Sequence, residues 1–188
     1  MRGLFSAVLC SALLVSNVNA ATPGRSRDEG VRIRTQDPRT TVALRDGMAR
    51  SETLRALVNR IEASNVFVYV SVSPFLNSSL SGQLTWMTQA GPYRYLRATL
   101  SADQTSDQLI ASLAHELQHA VEVVGDDLVV SEQTLVALYK RIGHPSRAVA
   151  NSGWETVAAQ QTGYRVRREL VESTGMIMAA QLSDSGHL

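Results

Sequence analysis

The stretch "TSDQLIASLAHELQHAVEVV" (Thr105–Val124) decides how the chain is read. Leu109, Leu113, Leu117, Val121 and Val124 recur at helical spacing. Thr105 and Gln108 form a capping-box pattern that starts the helix, and Gly125-Asp126-Asp127 ends it. His115 and His119 are four residues apart, so they lie one turn above each other on one face. Glu116 stands about 100° round the axis, at the edge of that face. Ala111, Ala114, Ala120 and Val121 flank the polar residues, so both sides of the helix read as buried. A solvated helix face that happens to carry two histidines and a glutamate is the competing reading.

Upstream, Leu54, Leu57, Val58 and Ile61 predict a helix over 48–61. "VFVYVSV" (Val66–Val72) is a β-branched and aromatic run, read as a buried strand that ends at Pro74. "LSGQLTWM" (Leu80–Met87) and "YRYLRATL" (Tyr93–Leu100), joined through Ala90-Gly91-Pro92, predict a hairpin. Downstream, 131–142 reads as a helix closed by Gly143 and Pro145, and a last long helix runs from Trp154 to about Ser173. Helix, strands and then helices give an α+β class rather than repeating βαβ units.

The first 20 of the 188 residues differ in kind from the rest. Arg2 is their only charge, Leu4 to Val15 is almost wholly apolar, and Val18-Asn19-Ala20 suits a signal peptidase. Residues 1–20 are therefore expected to be a cleaved signal peptide of a secreted or periplasmic protein. Residues 21–41, rich in Arg, Asp, Thr, Pro and Gly, read as a flexible N-terminal arm before a domain spanning 42–188. Without the signal, 17 basic residues face 17 acidic ones, which argues against a nucleic-acid binder. Cys10 leaves with the signal, so no disulfide or thiol chemistry is expected. Beyond it no segment is apolar enough to span a membrane.

Two imidazoles closing on one ion, with a carboxylate beside them, suit zinc hydrolysis. Zinc held by three protein ligands keeps a position for water and lowers its pKa to about 7. Glu116 can take a proton from that water and deliver it to a leaving amine. A third ligand is required. The extension with glycine and a third histidine fails, because Glu122 and Gly125 stand in those places. His144 precedes Pro145 in a loop, and His187 is the penultimate residue. Glu122 is on the same helix, and a straight helix spreads positions 115 to 122 over about 10 Å, too far for one ion; it reads as a solvated residue. Glu132 opens the next helix, where it faces the macrodipole. Glu155 opens the last, where Ser152-Gly153-Trp154-Glu155 is itself a capping-box pattern.

The pair of motifs His115-Glu116-x-x-His119 and Glu155-x-x-x-Ala159, 36 residues apart from His119 to Glu155, resembles the gluzincin clan of zinc metallopeptidases. The resemblance covers Leu109 to Leu170. It implies a zincin-like fold, a small sheet packed on the active-site helix, with zinc held by His115, His119 and Glu155 and Glu116 as base. Many members carry an acid where this chain has Ala159, which leaves the partner that orients a ligand histidine unassigned. Tyr164, Tyr139, His144 and Arg94 are of a type that can stabilise an oxyanion. The expected function is a zinc peptidase acting on peptides or proteins. The alternatives are a catalytically silent zinc protein that binds a cell-envelope or protein partner, and a metal-free helical binding module.

Overall fold

The computed structural model describes residues 31–77, 79–146 and 153–185. The signal-peptide expectation, residues 21–30 of the arm and His187 lie outside them. Among the described residues, five helices combine with a small mixed sheet, which makes the class α+β. In chain order the elements are β1 (Ile33–Thr35), α1 (Pro38–Arg50), α2 (Glu52–Glu62), β2 (Val66–Ser73), β3 (Gly82–Ala90) and β4 (Tyr93–Ser101). There follow α3 (Ser106–Val124), α4 (Glu132–Ile142), β5 (His144–Pro145), β6 (Trp154–Glu155) and α5 (Val157–Ser185). No helix among the described residues is long and apolar enough to cross a membrane.

The main sheet has the order β1-β2-β4-β3. β1, β2 and β4 run parallel, and β3 pairs antiparallel with β4 as one edge. The alternation of β2 and β4 sorts their two faces. Val66, Val68, Val70, Leu96, Ala98 and Leu100 are fully buried in one core with Leu54, Ile61, Leu113 and Leu117 of the helices. Burying side chains of this size stabilises by about 1.5–3 kcal/mol each. Phe67, Tyr69 and Tyr95 take the other face, where the Arg32 guanidinium lies 4.3 Å over Phe67 and that of Arg34 4.8 Å over it.

The predicted hairpin is present, with Gly91 at φ 57 in its turn. The capping box on α3 is present too: Gln108 accepts from the Thr105 backbone N–H at 2.8 Å. Three expectations need correction. The arm does not extend to residue 41. Ile33, 3 % exposed, sits in β1, and Pro38 begins α1 behind an Asp37 N-cap. The helix expected over 48–61 is two helices that meet at Ser51, whose backbone caps α1 and whose side chain accepts from Leu54 N–H to start α2. The last helix begins after Glu155, not at Trp154. Thr156 caps it by accepting from Ala159 N–H at 3.1 Å; Ser152 of the capping-box expectation lies outside the described residues.

Candidate metal centre

The cleft is floored by α3. Its apolar stripe locks the helix under the sheet, and the opposite turn carries His115, Glu116 and His119. The third group arrives from a two-residue strand. β5 and β6 pair antiparallel, with His144 opposite Glu155, and this ladder delivers the Glu155 side chain over α3. Gly143 lies against that strand: a Cβ there would meet Glu155 O at 2.6 Å and Tyr139 O at 2.9 Å.

His115, His119 and Glu155 each offer a ligand atom, and these atoms lie within 4.8 Å of one another. His115 Nε2 is 3.2 Å from Glu155 Oε2, and His119 Nε2 is 3.5 Å from Glu155 Oε1. Two nitrogen or oxygen ligands at about 2.0–2.1 Å from a tetrahedral zinc stand roughly 3.3 Å apart. The two histidine–glutamate separations bracket that value. Both imidazoles aim Nε2 inward, and the two ring planes are nearly perpendicular, 76° apart. The donor set, two imidazoles and a carboxylate, is one that zinc takes.

Glu122 is the residue that sequence reading misjudged. It is not solvated: its side chain is 9 % exposed. His119 Nδ1–H donates to Glu122 Oε2 at 2.9 Å, and Thr156 Oγ–H donates to Glu122 Oε1 at 2.6 Å. A carboxylate in this place fixes the tautomer of the histidine and turns Nε2 toward the centre. The carboxylate that bonds His119 thus comes from α3 itself. The i, i+3 spacing of His119 and Glu122 was the signal that pointed to it.

Charge in the cluster is lopsided. Glu116, Glu122 and Glu155 surround two imidazoles, so the site draws in a positive charge. Burial alone would lower the His119 pKa, but hydrogen bonds to Glu122 and Glu155 outweigh it and push the value up to about 10. Burial likewise raises the Glu155 carboxyl, yet the hydrogen bonds from His115 and His119 win and hold it well below the carboxylate range. Glu116 is 3 % exposed, and burial raises its pKa. It sits directly beneath the edge strand: a Cβ on Gly82 would fall 2.5 Å from Glu116 Oε1.

The remaining candidates are dispersed. Glu132 opens α4 and lines the cleft, but it is not one of the three groups that close on each other. His144 is exposed on β5. Arg94 is buried at the far end of α3, donating to Val123 O, Asp126 O and Asn65 Oδ1, so it is no oxyanion donor here. Tyr139 OH is engaged by His119 O at 3.2 Å. Tyr164 does line the cleft with His115 and Glu116, 72 % exposed.

The cleft has two halves that share Gly82, His115, Glu116 and Glu155. One, about 310 Å³, runs between the Ser79–Gly82 segment and α5; the other, about 520 Å³, runs between β3 and α4. No protein-family model, no curated protein and no solved structure matches this chain.

Proposed function

We propose that the chain is a zinc-dependent peptidase of zincin-like architecture, working outside the cytoplasm after removal of its signal segment. The reading is carried by one observation: the Nε2 atoms of His115 and His119 and the Glu155 carboxylate converge within 4.8 Å, beside a buried carboxylate that belongs to none of the ligands.

In this reading His115, His119 and Glu155 hold the zinc. When bound, zinc polarises a carbonyl and acidifies water. Glu122 keeps the His119 Nδ1 protonated, so that Nε2 stays free to ligate. Glu116 takes the proton of the attacking water and passes it to the leaving amine nitrogen. Its raised pKa, from burial, suits a group that must bind the proton and then release it. The outer edge of β3, unpaired with any strand among the described residues, offers backbone N–H and C=O groups to an extended peptide. Tyr164, on the opposite wall, is the available hydroxyl for a developing oxyanion.

The test is metal content and peptide hydrolysis on the same preparation. The expected result is one zinc per chain and cleavage that a chelator abolishes. Glu116→Gln should keep the zinc and lose on the order of 100-fold or more of the rate. A chain that takes up no zinc, or whose hydrolysis is indifferent to Glu116→Gln, would end this reading.

A further inference from the structure

The two halves of the cleft differ in chemistry, and their order along the chain is fixed. α3 runs beside β3 in the same sense: its start is tied to Ser81 O through Gln104 Nε2, and its end to β4 through Arg94. α5 runs against α3, from Thr156 at Glu122, past Thr162 at Gln118, to Gly163 on His115. Higher-numbered residues of α5 therefore lie toward the Ser81 end of β3.

Toward the Trp86 side of the centre the lining carries a group of large apolar side chains, Leu84, Trp86, Leu135, Val136 and Trp154, beside the polar Gln83 and Thr85. Among the described residues, that half carries the carboxylate of Glu132 and no lysine or arginine. The Ser81 side is lined by Ser79, Ser81, Ser112 and Gln160, and Arg167 is its one arginine among the described residues. Arg167 makes no hydrogen bond or ion pair among the described residues. Its neighbours behave otherwise: Arg168 pairs with Glu172, and Arg165 feels the charge of Glu169.

An extended chain pairs with an edge strand somewhat better antiparallel than parallel. Against β3, running Gly82 to Ala90, such a peptide enters at the Trp86 end and leaves at the Gly82 end. We infer that the cleft reads a peptide by polarity: a large apolar side chain before the scissile bond, in the Trp86 half, and a carboxylate after it, against Arg167. Arg167 lies four residues beyond Gly163, about 6 Å along α5. An extended peptide advances about 3.4 Å per residue. The carboxylate accordingly belongs to the first or second residue past the bond, as an acidic side chain or as the chain terminus. Tyr164, one residue past Gly163, stands nearer the centre on the same wall.

The inference rests on the peptidase reading for its scissile bond, but it is tested by binding. Fluorescent peptides carrying one Phe are measured by anisotropy on the Glu116→Gln chain, with and without zinc, so that cleavage plays no part. A peptide with Glu two residues after Phe should bind about tenfold tighter than its Gln counterpart, the worth of one charge-assisted contact. Arg167→Ala should remove that advantage, and Arg167→Glu should transfer it to a Lys counterpart. If only peptides with a free C-terminal carboxylate show the effect, the terminus is the group read; if amidated peptides with internal Glu show it, the side chain is. Equal binding of the Glu and Gln peptides, with no gain from a free C-terminal carboxylate either, overturns the inference, as does tighter binding when Glu precedes Phe. Failure of the peptidase reading looks different: the binding preference persists while the intact zinc-loaded chain cuts none of the peptides.

Discussion

The candidate centre is assembled from two unlike pieces. His115, Glu116 and His119 stand on a 19-residue helix capped at its start and buried along its length. Glu155 stands on a two-residue strand whose partner is equally short. The first piece is held by local hydrogen bonds and a core stripe, and would keep its geometry with the ladder removed. The second has no such reserve: its place depends on Gly143 lying against it and on Thr156 behind it, which donates its backbone N–H to Glu155 Oε1 at 2.7 Å. A rigid frame thus carries two groups, and a contingent one completes the set.

The strongest way to break this contrast is to remove one group from each piece. His119→Ala and Glu155→Ala should each weaken zinc binding by more than the roughly 100-fold that a supporting residue costs. They should part company in the metal-free protein. His119→Ala strips Glu122 of its imidazole partner beside the buried Glu116, leaving His115 to pair Glu155 alone, an expected cost of about 3–5 kcal/mol in denaturant unfolding. Glu155→Ala removes one of those carboxylates and should cost less. Equal losses would mean the two pieces are equally rigid.

Gly143→Ala attacks the ladder alone. Its Cβ would press on Glu155 O and Tyr139 O, backbone atoms that cannot rotate away. The expected cost is about 1–3 kcal/mol, with weaker zinc uptake and unchanged helical circular dichroism. Retention of full zinc affinity would show that the ladder is not what places Glu155.

Glu122→Gln sharpens the comparison from the helix side. It should lower zinc affinity by about 10–100-fold while leaving the fold intact. Thr156→Val, which cuts the same carboxylate loose from α5, should have a smaller effect of the same kind.

The smallest expected effect lies away from the centre. Burial raises the Glu169 carboxyl, but hydrogen bonds from Ser51 and Thr53 outweigh it and hold the pKa below its ordinary value. A depressed carboxyl contributes stability that is complete above its unfolded value of about 4.5 and fades as pH falls below it. Glu169→Gln should therefore flatten the acid limb of a stability–pH curve and leave zinc binding untouched. An unchanged acid limb would remove Glu169 from the acid response.

What the sequence disclosed follows the same division. The start of α3, the hairpin and the pair of histidines were legible because each is written within a few consecutive residues. The break at Ser51 was not, since the apolar spacing of α2 continues back toward Met48 and hides a cap that serves two helices. β1 was missed because Arg32 and Arg34 gave its segment the composition of a linker. Their alternation with Ile33 was the strand signal, and Phe67 supplies the ring on which both guanidinium groups rest. Glu155 was named as a ligand only through resemblance, and its strand was invisible because two residues have no period. Glu122 was dismissed by a distance that bears on a ligand and is irrelevant to a residue that bonds the far nitrogen of His119.

The hydrogen-bonded run from Thr156 through Glu122 to His119 joins the first turn of the C-terminal helix to an imidazole. Whatever occupies the imidazole also tugs on that turn. Loading the centre with a cation should slow amide exchange at Ala159 and Gln160, whose N–H groups report on the turn. The start of α5 would then serve as a gauge of occupancy, readable without any substrate.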